Sequence, residues 1–459
     1  MTRREFAIVG AAVAAITALL LLYSQTRGFG WDEGFHLLAA RLIAAGKRPY
    51  VDFIFAQTPL NAWWNALIMR FTGYGWRGPH VAAALESAAS VWLVADFVLR
   101  RAPAAARVWL AIAAAALIGL NQVAMNYATM SQAYGLCMLL GVLAFRLCLE
   151  GPALLAGVAA GAAASASLLT APLGPVLFVW LIFRGGFQRV ALFVAGALVG
   201  LFPVLWYLTI APKQFWFDVV GFHLYYRQVD WSGWFLHDLE VLTGWLDSGQ
   251  GMLMFVLVAA GAAMGRKRRG IALCSWIVAA YCLYLSTTHP TFAQYFTVAL
   301  PFAAILASAC LQELYERYPQ RWPPVLVAAL MTAMLARTVW QQAANMSWAN
   351  LETVAAEVRK ALHPGDKLYA DEHIYVLTGA MPPPGMEWGG SHKIAMPADR
   401  ARLYHVLTQA ELDKQVKRGD FAVVESCDED EVKRLGLGNL YGQSKQIGDC
   451  FVFHELKAR

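Results

Sequence analysis

Apolar residues fall in long blocks over the first 344 positions, and short segments rich in arginine separate the blocks. A bilayer core of about 30 Å asks for roughly 20 apolar residues per helix. Blocks near that length cover residues 6–25, 78–95, 108–125, 127–145, 190–210, 270–288 and 290–312, with shorter ones at 251–265 and 322–336. The stretch 151–183 holds 33 uncharged residues, too many for one ordinary helix. It is rich in Gly, Ala and Ser ahead of Pro172 and Pro175, a composition that suits a closely packed helical hairpin. Counting it as two helices predicts an all-α polytopic domain of about 11 transmembrane helices.

Orientation depends on that count. With the N-terminus in the cytoplasm, Arg3, Arg4, Arg100, Arg101, Arg107, Arg146, Arg184, Arg189, the cluster Arg266-Lys267-Arg268-Arg269, Arg317 and Arg321 all face inward, as the positive-inside bias requires. The loops 168–175 and 286–292 then face outward, and neither carries Lys or Arg. A single span at 151–183 would turn the Arg266–Arg269 cluster outward. Residues 6–23 also invite comparison with a signal peptide. The run exceeds the usual 7–15 apolar residues, and only Ser24-Gln25-Thr26-Arg27 follows where a small-x-small site would stand. An uncleaved first helix fits better. An odd number of spans puts the loop 26–77 and everything after residue 344 outside the cytoplasm. The chain is thus expected in a bacterial inner membrane with its C-terminal domain periplasmic or extracellular.

After residue 344 the pattern changes. Helical periodicity covers 349–362 and stops at His363-Pro364-Gly365; residues 367–370, 421–425 and 450–454 read as strands. Thr408-Gln409-Ala410-Glu411 is a capping-box sequence opening another helix, and 381–385, with three prolines, is a loop. The expectation is a small soluble α/β domain over 345–459, following a membrane domain over 1–344. No metal spacing, Gly-rich phosphate loop or nucleophile elbow occurs in it, which favours a supporting or acceptor-docking role.

Charge sharpens this division. Residues 345–459 hold 31 of the 68 charged side chains with a net charge of −3, and the first 344 residues carry +9. One soluble domain of ordinary size cannot absorb so much uncharged sequence. The positive charge lies between apolar blocks and forms no stripe interleaved with aromatics, so nucleic acid is excluded as a partner. Cys137, Cys148, Cys274, Cys282 and Cys310 sit in apolar blocks as small hydrophobes. Cys427 and Cys450 fall in the external domain, where an oxidising compartment permits a disulfide, though spacing alone does not fix their separation.

The first external loop holds the candidate chemistry. It reads Gly30-Trp31-Asp32-Glu33-Gly34-Phe35, then an amphipathic segment 33–45 expected at the membrane interface, then Gly46-Lys47-Arg48-Pro49-Tyr50-Val51-Asp52-Phe53, Gln57-Thr58-Pro59-Leu60 and an aromatic helix containing Trp63, Trp64 and Phe71. Such a loop sets adjacent carboxylates at the membrane surface, where a lipid-linked substrate presents its head. On composition alone, Asp32 and Glu33 would merely end the first helix in water. The acid pair, the Gly-x-x-Pro-Tyr-x-Asp element and Thr-Pro-Leu together resemble the first external loop of GT-C glycosyltransferases, in particular protein O-mannosyltransferases and aminoarabinose transferases. His289-Pro290 through Gln294-Tyr295-Phe296 to Pro301 is a weaker echo of a segment before a late helix in that group.

That resemblance implies transfer of a sugar from a polyprenyl-phosphate donor to a hydroxyl of a lipid, glycan or protein acceptor, with inversion. It assigns the general base to Asp32, and Glu33 beside it would raise a carboxyl pKa by like-charge repulsion. Close relatives often have Glu at the place of Gln57; a neutral amide is a poorer ligand, so a divalent cation stays open and no metal site is assigned. Donor-phosphate candidates are Lys47, Arg48, Arg227 and His289, although Lys47 and Arg48 also suit lipid headgroups. Further pocket candidates are Tyr50, Asp52, His223, Tyr225, Tyr226, Tyr295 and Glu86, the last a carboxylate inside the second span. The competing class is a transporter or flippase of a lipid-linked sugar. The internal repeat common in transporters is not evident here.

Overall fold

The computed structural model describes residues 2–225, 233–265, 268–320, 322–341 and 345–457. The chain is mostly helical and divides into two compact units. The first comprises Met1–Gly28, His80–Val204 and Gly233–Asn345; the second comprises Phe29–Pro79, Leu205–Ser232 and Met346–Arg459. The loop 29–79 therefore groups with the C-terminal residues, whereas its sequence neighbours are apolar helices of the first unit.

Among the described residues of the first unit, Arg3–Thr26, Arg77–Arg101, Ala293–Arg317 and Trp322–Gln341 are each long and apolar enough to cross a bilayer. Phe187–Gly200 and Phe202–Ile210 pass that test only as a pair, bent by 57°. Pro203 lacks the N–H needed to continue the preceding helix, which accounts for the bend. Phe235–Gly244 with Gly249–Met264 forms a second bent pair. The block 108–125 also breaks, into Arg107–Gly119 and Gln122–Tyr127, because Asn121 caps the second piece by accepting from Val123 N–H. By length and composition the described residues thus supply four to six spans, with four shorter apolar helices besides, against the eleven expected from the sequence.

The stretch 151–183 does form two helices, Ala153–Ala166 and Leu173–Arg184, joined by a 3-10 turn at Leu168–Thr170. The close approach expected inside this hairpin occurs instead with the next helix, Phe187–Gly200. A Cβ at Gly157 or Gly161 would run into the Phe193 or Ala197 carbonyl, and one at Gly196 or Gly200 into that of Leu154 or Val158. Glycine is required there because backbone meets backbone. Ser165 Oγ adds a hydrogen bond to Gly200 O at 2.9 Å.

The second unit joins helices Glu33–Ala44 and Pro59–Thr72 with a four-stranded sheet of order β1-β2-β4-β3, where β1 is Leu368–Tyr369, β2 Val423–Ser426, β3 Tyr441–Ile447 and β4 Cys450–Leu456. β1 runs parallel to β2, and the other pairs are antiparallel. β3 carries Gly442-Gln443-Ser444-Lys445-Gln446, exposed almost throughout. It is an edge strand without apolar alternation, so the hydrophobic pattern does not announce it. Ser426 faces Phe451 in the β2–β4 register, which brings the next pair across, Cys427 and Cys450, together as a disulfide. Helix Gln409–Arg418 begins where the capping-box sequence places it, but the Thr408 side chain makes no cap hydrogen bond.

The helix Glu33–Ala44 is more buried than an interfacial helix: Leu37, Leu38, Ala39, Ala40 and Leu42 are all enclosed. Its Arg41 guanidinium donates to Tyr375 O (2.6 Å), Val376 O (3.2 Å) and Gly379 O. These carbonyls end the helix Glu372–Thr378, where a cation also complements the helix dipole. The first loop is tied to the C-terminal residues by this cap.

Candidate active site

Gly30 O accepts from Glu33 N–H at 3.0 Å, and this turn starts the helix Glu33–Ala44 with Asp32 at its N-cap. The helix N-terminus favours negative charge at Asp32 and Glu33, yet the two carboxylates have different surroundings. Asp32 is exposed, whereas Glu33 is fully buried and its Oε2 accepts from Trp348 Nε1–H at 3.1 Å. Trp348 in turn stacks on Trp76, with centroids 5.2 Å apart and planes 10° apart.

Gly34 permits the next contact. A Cβ there would lie 2.6 Å from the His373 ring and 3.1 Å from Glu372 Cβ, so only glycine lets both side chains sit against the first turn. His373 Nε2 donates to Gly30 O at 3.2 Å, which leaves Nδ1 as a buried acceptor with no hydrogen-bond partner among the described residues. Glu372 accepts from Gly389 N–H. Burial pushes the His36 and His373 imidazoles down to about 4, against the opposing pull of Glu33. Burial also raises the Glu372 carboxyl, and the Asp32 charge adds to that. At neutral pH both imidazoles are thus neutral, and Asp32 presents an exposed carboxyl side chain at the same helix start. Such a group can take a proton from a hydroxyl.

The loop after the helix is held by its own polar residues. Arg48 grips Asp52 through Nε and Nη2, both at 3.1 Å, and donates its backbone N–H at 2.7 Å, which lowers the Asp52 carboxyl. Lys47 is exposed. Tyr50 is buried at a φ of 64° and donates its hydroxyl to Gln57 O. His223 Nε2 donates to Ala56 O at 2.8 Å, and Asp218 accepts from Phe55 N–H at 2.9 Å. Burial raises the Asp218 carboxyl well above its ordinary value. Tyr225 lies with its ring 6.0 Å from that of Phe217, and Tyr226 and Arg227 fall outside the described residues. A cavity of about 560 Å³ opens beside Asp52 and includes Glu387, whose carboxyl burial raises to about 7.

Within the first unit, Asp238 Oδ2 lies 2.7 Å from His289 Nδ1, and Asp238 Oδ1 accepts from Thr291 N–H at 2.6 Å. A carboxylate so held fixes the imidazole's orientation and turns Nε2 to other partners. Tyr295 lies in the short turn Ala293–Ala299, edge-on to Phe292 at 5.4 Å. Glu86 is buried against the backbone of Gly135. As to metals, the group of potential ligands found among the described residues is Glu425 with Cys427 and Cys450, whose sulfurs are consumed by the disulfide.

The sequence motifs did not point to Trp348, Glu372 or His373. The run Asp371-Glu372-His373 ahead of an apolar helix was the available signal. Its significance depends on contact with Gly34, more than 330 positions earlier.

No family model matches the sequence, and neither does any curated protein. Solved structures do match. ArnT from Cupriavidus metallidurans bound to undecaprenyl phosphate is similar with a TM-score of 0.66 at 16% identity, covering 99% of this chain and 98% of that one. The same protein in its apo state gives 0.63 at 16% identity, over 96% of each chain. At this identity the likeness is one of fold, and the chain has a GT-C-type membrane fold from end to end.

Proposed function

We propose, from that fold and the Asp32 environment, that the chain is a glycosyltransferase moving a sugar from a polyprenyl-phosphate donor to an acceptor hydroxyl at the outer face of a bacterial inner membrane. The carrying observation is the likeness along nearly the whole chain to a protein solved with undecaprenyl phosphate bound. The acceptor oxygen attacks the anomeric carbon as the bond to phosphate breaks, inverting that centre. The hydroxyl proton passes to Asp32, a step worth roughly 10²–10⁴-fold. The leaving phosphate needs cations or N–H donors rather than a strong acid. His289, steadied by Asp238, is assigned to it, with Lys47, Arg48 and Arg227. Arg48 would exchange its Asp52 partner for phosphate on donor binding. Glu33 acts by anchoring the helix start beneath Trp348, so its neighbour keeps a fixed position.

The test is incubation of purified protein with undecaprenyl-phosphate sugars and candidate acceptors, following release of undecaprenyl phosphate. Turnover supports the assignment. Movement of lipid-linked sugar across vesicles without release would favour a flippase. Eleven spans with a cytoplasmic N-terminus also require that a tag after Arg459 be accessible from the outer side of the membrane.

A further inference from the structure

In the first unit, three helix ends and the flank of a fourth helix surround a cavity of about 330 Å³. They are the ends of Arg77–Arg101 and Tyr134–Glu150 and the start of Arg269–Leu285, closed by the middle turns of Leu300–Arg317. Its lining is of two kinds. Phe97, Ile271 and Ile305 supply apolar lining, and Arg101, Arg268 and Arg269 supply cationic lining. The arginines are unequally occupied. Arg101 pairs with Glu150 and lies 3.9 Å over the Phe97 ring. Arg268 reaches Glu313 at 2.8 Å and Glu316 at 3.1 Å. Arg269 makes no ion pair among the described residues. The floor is fitted closely, since a Cβ on Gly270 would lie 2.8 Å from Phe97 Cζ. None of these residues has a part in the transfer proposed above.

We propose that this cavity binds the phosphate of an anionic phospholipid, with Arg269 as its main cation and an acyl chain along the Phe97–Ile271–Ile305 wall. The inference requires only that these helices span a bilayer. Arg101 and Arg268 are already matched by Glu150, Glu313 and Glu316, so Arg269 is the cation here without an ion pair among the described residues, and a basic pocket between transmembrane helices is a recurrent lipid headgroup site. An apolar wall next to the cations distinguishes a lipid from a free phosphate, which would gain nothing from Phe97 or Ile305. Arginine suits the role because its planar fork holds a phosphate through two parallel hydrogen bonds.

The experiment uses the full-length protein in a mild neutral detergent, with phosphatidylglycerol, phosphatidylcholine or inorganic phosphate added separately. Thermal unfolding and lipid retention in native mass spectrometry are the readouts. Phosphatidylglycerol should raise the unfolding midpoint by roughly 2–4 °C, and the other two should not. Arg269→Gln, at an exposed helix start, should weaken phosphatidylglycerol retention by about 10-fold, the loss of one charge-assisted hydrogen bond. Glu150→Gln releases Arg101 and should strengthen retention several-fold, a gain that misfolding cannot mimic. An equal midpoint shift with inorganic phosphate would show a simple anion site and overturn the lipid assignment. An equal shift with phosphatidylcholine would reduce it to apolar packing. Unchanged retention in both variants would remove the arginines from any binding role.

Discussion

The interiors of the two units differ in emphasis, although the first also buries His80, Glu86, Asp96 and Asp238. In the first, the tightest contact is backbone on backbone: Gly157, Gly161, Gly196 and Gly200 bring Ala153–Ala166 and Phe187–Gly200 together with nothing between them. Polar side chains there serve mainly as ties, as when Gln250 Nε2 donates to Leu120 O at 2.9 Å and Met331 O at 3.2 Å. In the second unit the interior holds ionisable groups. Glu33, His36, Asp218, His373 and Glu425 are all enclosed, with indoles, backbone groups or each other as company. Burying such groups costs free energy unless each is partnered. Glu33, His36 and His373 gather at the first turn of Glu33–Ala44, the turn on which the proposed function rests.

The comparison is broken most directly at Asp32. Asp32→Asn should lower transfer by about two to four orders of magnitude, with donor binding and folding nearly unchanged because the side chain is exposed. In the same preparation, His289→Asn should act chiefly on donor affinity. If Asp32→Asn transfers at the parental rate and Asp52→Asn is inactive, the base belongs to the Tyr50-Val51-Asp52 element instead.

The disulfide gives the next largest effect and belongs to the second unit alone. It closes a separation of 23 residues, and replacing Cys427 and Cys450 with Ala should cost about 3 kcal/mol. Denatured but unreduced parent protein should leave both thiols unlabelled. Labelling without reduction would show that the bridge does not form.

Protonation tests the buried imidazoles. His36 and His373 titrate near 4 in the fold against an ordinary 6.5, so the unfolded chain binds their protons more readily. Their contribution is complete above pH 6.5 and is lost as the pH falls toward 4, by about 2 kcal/mol per ring at pH 5. The buried acids titrate in the opposite sense, with raised values, so the informative measurement is a difference. The unfolding midpoint of His36→Gln/His373→Gln should approach or pass that of the parent as the pH is lowered from 7 to 5. A constant gap would mean that the rings are not held neutral.

The smallest effect concerns the first unit, where Gly196→Leu should cost about 2 kcal/mol by forcing two backbones apart. Gly174→Ala, where a Cβ meets nothing within 4 Å, is the control and should be neutral. Equal effects at the two glycines would remove the distinction drawn between the units.

Much of this could be read along the chain, because it depends on local period and composition. Blocks of apolar residues, the pair of helices within 151–183, the helices near 349–362 and after Thr408, and the strands near 421–425 and 450–454 all follow from side-chain spacing that each segment carries itself. The acid pair Asp32-Glu33 stood out only through the resemblance that its motif neighbours Pro49-Tyr50-Val51-Asp52 and Thr58-Pro59-Leu60 bear to the first loop of GT-C glycosyltransferases. Tertiary structure decided the rest. Asp32 and Glu33 are adjacent, but only the fold buries one under Trp348 and leaves the other in solvent. Gly34 is an unremarkable glycine until Glu372 and His373 occupy the space that its missing Cβ leaves. Strand β3 has no apolar face of its own and exists because β4 lends it a hydrogen-bonding edge. The pairing of Cys427 with Cys450 likewise waited on the β2–β4 register. Periodicity reports how a segment meets an average apolar or aqueous surrounding. Which particular groups meet is a long-range property, fixed only once helix Glu33–Ala44 and the C-terminal residues pack within one core.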